Sequence, residues 1–320
     1  MRLAALFIAA VLVAAAHDAP AQQYPTKPIR LIVGYAAGGG TDTVARVFAQ
    51  RLTDGLGRQV IVDNRPGAAG NISTELAVRS PPDGYTLLMG NIGPIAVNPH
   101  LYKLTFDPLR DLTPISLIAL APLLVVVHPS LPVKSLKDLV ALARREPGKL
   151  SYSSAGVGSS NHLAGALFNI EARTDLVHIP YKGAAPALTD LIAGNVQLSF
   201  QTLPSLGGSV RSGRVRALAV TSAKRSRLYP EIPTAAEAGL KEFEVSAWYS
   251  IVAPAGTPRT VVDRVRDEIV KALAQKDVLD RVTAEGAEPM GSTPEAFAEF
   301  MRIETAKWGR VVRISGMKPD

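Results

Sequence analysis

An α/β fold divided into two lobes is predicted by three features of the sequence. Short apolar, β-branched runs alternate with helix-like segments; two separate glycine-rich turns each lead from such a run into a helix; and an amphipathic C-terminal section needs a core to cover it. The chain has 320 residues, 47% of them hydrophobic, which is material for one large or two ordinary domains.

Residues 1–21 are set apart from that fold. Arg2 precedes an apolar run, residues 3–16, and the small-residue site Ala19-Pro20-Ala21, the pattern of a secretory signal peptide cleaved after Ala21, with a cut near Ala16 as the rival. The run is shorter than the roughly 20 apolar residues of a spanning helix. Cysteine is absent, so neither a disulfide nor a thiol for a lipid anchor is available, and a soluble exported protein is expected. Lys and Arg number 35 against 28 Asp and Glu, a net charge of +7. A nucleic-acid or acidic-lipid surface needs clustered charge, and here the charges are dispersed as singles and short pairs such as Arg144-Arg145, so neither partner is expected.

The first unit begins with an apolar strand over residues 29–35 and a helix pattern from Thr41, which places Gly38, Gly39 and Gly40 at a strand-to-helix turn. Glycines let the backbone approach a ligand, and the first helical turn offers unpaired N–H groups at the positive end of the dipole, so this turn suits an anion. Residues 58–63 read as a second strand, 72–79 as a helix stopped by Pro81-Pro82, and 85–89 as a third strand. Crossovers of this length imply parallel pairing. The loops at 36–40, 67–71 and 90–93 then meet at one edge, which brings Asn71 and Asn91 toward a shared site. Residues 115–127 read as buried strand material punctuated by Pro114, Pro122 and Pro129.

The second unit repeats the alternation. Ser135 caps a helix to Arg145, residues 149–153 form a strand, and Ser154-Ala155-Gly156-Val157-Gly158-Ser159-Ser160-Asn161-His162 leads into a helix over 163–170. A strand over 176–180, a turn at Tyr181-Lys182-Gly183, a helix over 186–193, a strand over 196–200, a further helix and a strand over 215–221 complete it. The last section holds a strand over 243–253 and helices over 258–273, 278–284 and 294–314. Val261, Val265, Ile269 and Ala272 make one helix face apolar. Covering that face is simplest if the chain returns to the first unit, giving lobe one from residues 22–122 and 243–320, lobe two from 123–242, and a ligand cleft between them.

The chain resembles the periplasmic solute-binding proteins of the tripartite tricarboxylate transporters, the Bug or TctC-like family. The resemblance runs through Gly38-Gly39-Gly40-Thr41-Asp42, Asp63-Asn64-Arg65-Pro66-Gly67-Ala68-Ala69-Gly70-Asn71, Pro82-Asp83-Gly84-Tyr85, Gly158-Ser159-Ser160-Asn161-His162, Pro180-Tyr181-Lys182-Gly183 and Ala253-Pro254-Ala255-Gly256-Thr257-Pro258. It implies a two-lobed periplasmic binding protein of the type II fold, each lobe a mixed, mostly parallel sheet flanked by helices. It also implies a monomer that closes on a small carboxylate or related organic anion and delivers it to membrane permease subunits, without a cofactor. Carried over by position, it implies ligand contacts from Tyr35, Ala37, Gly39, Gly40 and Asp42 in lobe one and from Ser154, Gly156, Ser159, Ser160 and His162 in lobe two. The chain departs from the family pattern at Gly34, where proline is frequent, at Ser73, where glycine is frequent, and at Gln201, where aspartate is common near the cleft.

Several residues carry two readings. Asp42 either satisfies loop N–H groups in the first helical turn or orients a ligand hydroxyl or water. Gln201 could donate an amide to a carboxylate that aspartate would repel. Tyr181 either lines the cleft or packs a lobe, and Arg65 either clamps a carboxylate or orders its loop. His162 follows two serines but has neither the orienting third group nor the turn of a hydrolytic triad, so ligand contact or a helix-start hydrogen bond is expected. Trp248 is expected in the core. Three adjacent glycines fit neither a dinucleotide loop nor a P-loop, and no spacing suits a metal. An exported enzyme is therefore the weaker reading, and a ligand sensor for a membrane partner shares the receptor's requirements.

Overall fold

The computed structural model describes residues 24–38, 40–181, 183–206, 208–284 and 286–319. The expected signal peptide and the expectations for Gly39 and Lys182 lie outside them. Strand β1 (Ile29–Val33) leads into helix α1 (Gly40–Leu56), followed by β2 (Val60–Asn64), α2 (Asn71–Val78) and β3 (Thr86–Asn91). β1 pairs in parallel with both neighbours, Ile29 opposite Val60 and Arg30 opposite Thr86. Ile29, Leu31, Ile32 and Val33 are all fully buried, as a strand covered on both faces requires. Val44, Phe48, Ala49 and Leu52 of α1 recur at helical spacing and are buried in the same core.

β4 (Leu112–Val127) is a single strand of 16 residues, although its prolines read as breaks. Pro114 sits at a shift in register against β9, where a missing N–H leaves no regular ladder bond unmade. Pro122 is the last residue that pairs with β9, and Leu123 is the first that pairs with β7. The strand thus changes partners at its second proline.

Past β4 come α3 (Leu136–Arg145), β5 (Ser151–Ser154), α4 (Ser160–Ala172), β6 (Val177–Pro180), α5 (Ala184–Ile192), β7 (Leu198–Thr202), a short helix Leu203–Leu206 and β8 (Arg216–Val220). β5 is parallel to β6 and β7, whereas β4 is antiparallel to β7 and β8. β9 (Ser246–Pro254), α6 (Arg259–Leu273), α7 (Lys276–Ala284), β10 (Glu288–Pro289) and α8 (Pro294–Ser315) complete the chain. The strand order is β2-β1-β3-β9-β4-β7-β5-β6, with β8 and β10 on β4. The sheet is mixed, with parallel pairs on its two flanks and antiparallel β9 and β4 between them.

Val265, Ile269 and Ala272 of α6 pack in the core of β1–β3 and α1, where the sequence pattern sends them, and Val262 joins them there in place of the expected Val261. Helix α8 differs. Its Phe297, Met301, Trp308 and Val311 share a core with Phe168 of α4 and Phe200 of β7 as well as with Ile95, which follows β3. α8 therefore joins both halves of the sheet. Glu304 of α8 accepts at Oε2 from Nε1 of Trp248 (3.2 Å) and of Trp308 (2.9 Å), two fully buried indoles. Trp248 is the core residue its sequence context predicts, and the shared carboxylate satisfies both ring N–H groups.

Candidate functional site

A cavity of about 1150 Å³ lies against the residues that follow the C-terminal ends of β1, β3, β5 and β7. Tyr35, Ala37, Gly38, Gly40 and Asn91 border it from one half of the sheet. Ala155, Ser159, Ser160, Asn161 and Thr202 border it from the other, and Ala247, Trp248 and Tyr249 of β9 contribute between them. Parallel strands within each half place their ends on one edge, so the loops after them meet there.

Three helices begin at this cavity. Gly40, Thr41 and Thr43 belong to the first turn of α1, Ser160 and Asn161 to that of α4, and Ala184, Ala185 and Pro186 to that of α5. Each start presents N–H groups without intrahelical partners and the positive end of a dipole. α5 starts after Gly183, which has no side chain to cap those groups. No carboxylate is found among the described residues that border the cavity, and Arg211 is their one charged side chain. The arrangement suits an anion.

Tyr35 lines the cavity and donates its hydroxyl to Asn91 Oδ1 at 3.2 Å. Burial pushes its phenol up to about 12, against a smaller opposing effect of that hydrogen bond, so it stays a neutral donor and acceptor. Gly38 has φ of +84°, a conformation that costs glycine little. Its N–H donates to Asp42 Oδ2 at 2.9 Å, and Arg46 Nε and Asn64 Nδ2 also donate to the Asp42 carboxylate, each at 2.9 Å. Burial alone would raise the Asp42 carboxyl, but these donors outweigh it and hold the group below the usual carboxylate range. Asp42 is 2% exposed and does not border the cavity. It shapes the turn from behind, with its charge paired by Arg46.

In the other half, Ser159 caps α4. Its Oγ accepts from His162 N at 3.3 Å and donates to the Gly156 carbonyl at 2.6 Å. His162 does not reach the cavity. Its Nδ1 accepts from Gly158 N–H at 3.2 Å, and its ring stacks on His178, 3.8 Å between centroids. Burial, helped by the adjacent His178, pushes His162 down to about 3, so it is neutral. Both imidazoles border a second cavity of about 380 Å³ beside Ile314 and Met317. His178 Nε2 meets Ser154 Oγ at 2.6 Å, and that hydroxyl accepts from Gly156 N–H at 3.1 Å. Ser154, Gly156, His162 and His178 thus form a brace beneath the turn.

Of the residues expected in the site, Tyr35, Ala37, Gly40, Asn91, Ser159 and Ser160 border the cavity. Asp42, Asn71, Ser154, Gly156, His162, Tyr181 and Gln201 do not, and Gly39 is outside the described residues. Asn71 accepts from Asn98 Nδ2 at 2.7 Å, inside the packing between loops. The Tyr181 hydroxyl donates to Asp190 Oδ2 at 2.6 Å, and Arg65 orders its own loop by pairing with Asp63 at 3.0 Å. Gln201 is fully buried, donates to Ser199 Oγ at 2.9 Å and accepts from Asn161 Nδ2 at 3.4 Å. Its amide stands one layer back and orients Asn161, which also donates to the Phe200 carbonyl. Asn161, Thr202, Tyr249, Arg211, Tyr229 and the α5 start also border the cavity and were not expected there. Asn161 had a local signal in the turn that carries Ser159 and Ser160, and the α5 start had one in the turn glycine Gly183; the others had none.

Among the described residues, no group of three or more metal-binding side chains is gathered, and no helix is long and apolar enough to cross a membrane.

Residues 44–317 match the family model described as the tripartite tricarboxylate transporter family receptor, TctC. Protein BugT of Bordetella pertussis is 38% identical over 315 residues, covering 98% of this chain and 96% of that one. An R. palustris protein solved with adipate shares 36% identity at a TM-score of 0.85, covering 93% of this chain and 100% of that one. MatC from Rhodopseudomonas palustris, solved with bound malate, shares 31% identity at a TM-score of 0.81, covering 90% and 100%.

Proposed function

The chain belongs to the tripartite tricarboxylate transporter receptor family of periplasmic solute-binding proteins, and we propose that it captures a small carboxylated solute between two closing lobes and delivers it to membrane permease subunits. The observation that carries this reading is the meeting of three helix starts, α1, α4 and α5, at one cavity whose described border has no carboxylate. Backbone N–H groups of Gly40 and Thr41 hold the solute's carboxylate from one side. Those near Ser160 and Ala184 hold it from the other. Such charge-assisted hydrogen bonds supply the roughly −8 kcal/mol of micromolar binding after ordering costs are met.

The closing bodies are residues 22–122 with 243–320 and residues 123–242. β4 changes partners at Pro122 and Leu123, which suits a crossing point between them. Because each body supplies part of the anion site, the solute binds the closed state better and shifts the population toward it. The protein works in the periplasm after removal of residues 1–21, as a monomer. It is a receptor and not an enzyme, since the brace of Ser154, His162 and His178 stands behind the turn and not at the solute. Adipate and malate in two relatives favour dicarboxylates as the solute class.

Thermal unfolding of the protein, first freed of co-purified solute, tests this in the presence of mono-, di- and tricarboxylates. At least one is expected to stabilise it by about 2.7 kcal/mol at a hundredfold excess over its Kd. No stabilisation by any carboxylate overturns the reading.

A further inference from the structure

Arg211 follows the short helix Leu203–Leu206 and contributes an exposed guanidinium to the cavity border. The guanidinium carbon stands 5.6 Å from the centroid of the Tyr229 ring, which also borders the cavity and is itself 7% exposed. Among the described residues no carboxylate pairs with it, and no carboxylate stands on the described border of the cavity. Some exposed arginines of this chain are neutralised, as Arg225 is by Glu237 at 2.8 Å and Arg259 by Asp263 at 2.8 Å, whereas Arg211 has its place on the cavity border.

The helix starts and Arg211 are different kinds of anion site on one cavity. The first offers backbone N–H groups from three elements; the second is a single exposed guanidinium over an aromatic face. Leu203, Leu228, Tyr229 and Pro186 add apolar surface to the border. A volume of about 1150 Å³ exceeds what one carboxylate occupies. A monoanion held at the helix starts leaves Arg211 without a partner.

We propose that Arg211 binds a second anionic group of the solute across the apolar surface of Leu203, Leu228 and Tyr229, and is therefore the residue that selects a dianion over a monoanion of the same length. This rests on the receptor reading above and deepens it by assigning a specificity residue. The planar guanidinium can meet a carboxylate through two parallel N–H donors, while the Tyr229 ring limits its freedom before binding. Because Arg211 is exposed, its contribution weakens as salt rises.

The test is calorimetric titration of the solute-free protein and of Arg211→Gln and Arg211→Lys with straight-chain monocarboxylates, butanoate to octanoate, and with dicarboxylates of matched length. The expected result is that Arg211→Gln weakens the best dicarboxylate about ten- to a hundredfold and leaves the matched monocarboxylate within about twofold. Arg211→Lys, which keeps the charge without the fork, recovers part of the loss. Unchanged thermal midpoints of the solute-free variants establish that the turn still folds. If the unsubstituted protein binds carboxylates but Arg211→Gln weakens both classes equally or neither, the second-anion assignment is overturned and the receptor reading stands. If the unsubstituted protein binds no carboxylate of either class, both fall together.

Discussion

Ser73 occupies the space that a side chain at position 34 would need. A β-carbon on Gly34 would lie 2.4 Å from Ser73 Oγ and 3.2 Å from Gly70 Cα, and Ser73 is 1% exposed with its hydroxyl donated to the Gly70 carbonyl at 2.7 Å. Positions 34 and 73 therefore compete for one volume, so that adding bulk at one and removing it at the other is a physical exchange across the base of the first turn. Gly34→Ala alone is expected to destabilise the protein by about 1–3 kcal/mol through overpacking. Combining it with Ser73→Gly should restore most of that loss. Urea unfolding of the two single variants and the double variant gives the coupling, and simple additivity would contradict the exchange.

Asp42 acts on the site through the shape of the turn. Its carboxylate holds Gly38 N–H, Arg46 and Asn64, and these donors keep its folded-state pKa below the ordinary value. The stability it contributes is present above the unfolded carboxylate range and is lost as pH falls through the folded value. Asp42→Asn should cost about 1–3 kcal/mol at neutral pH, flatten the acid limb of the stability profile and weaken solute binding. Solute affinity equal to that of the unsubstituted protein would separate Asp42 from the turn's function.

His162 gives a second pH dependence in a different window. Its folded-state pKa is depressed to about 3 from 6.5 by burial and by His178, so the unfolded chain takes up the proton first. The stability it contributes is complete above pH 6.5 and declines toward pH 3, by about 1.4 kcal/mol per pH unit. Denaturant unfolding across that range should show the slope in the natural protein. His162→Gln should show less of it, and equal slopes would mean that His162 is not the group responsible.

Gly40 opens α1 at the cavity. A β-carbon there would lie 3.1 Å from the Tyr249 hydroxyl, so Gly40→Val crowds the space where the helix start meets a solute. Solute affinity should fall at least about tenfold, with a thermal midpoint of the solute-free protein close to the original. A variant that binds as tightly as the natural protein would remove the α1 start from the site.

Much of the framework was legible because it rests on local signals. The β-branched run of β1, the glycines after it and the cap at Ser135 each leave a mark in sequence. The continuity of β4 through Pro122 did not, since a proline reads as a break unless the change of partner on either side of it is known. Asp42 and His162 were legible as polar residues at turns, but the direction of their side chains depends on Asn64 and His178, which come from other strands. Gln201 was legible as an odd residue near the cleft; its burial behind Asn161 follows from how β7 packs against α4. Arg211, Tyr229 and Tyr249 gave no local signal, because they reach the cavity from separate segments only when the sheet is assembled. α8 was legible as a helix, yet its shared core with α4 and β7 is a tertiary choice that its own periodicity does not specify.

The central claim is that a carboxylate binds at the joined starts of α1, α4 and α5. Backbone amide NMR of the solute-free protein during titration with a dicarboxylate measures this most directly. Saturable shifts concentrated at Gly40, Thr41, Ser160, Asn161, Ala184 and Ala185 are expected. Saturable binding whose shifts spare these amides, such as one confined to the cavity beside His178 and Met317, would contradict it.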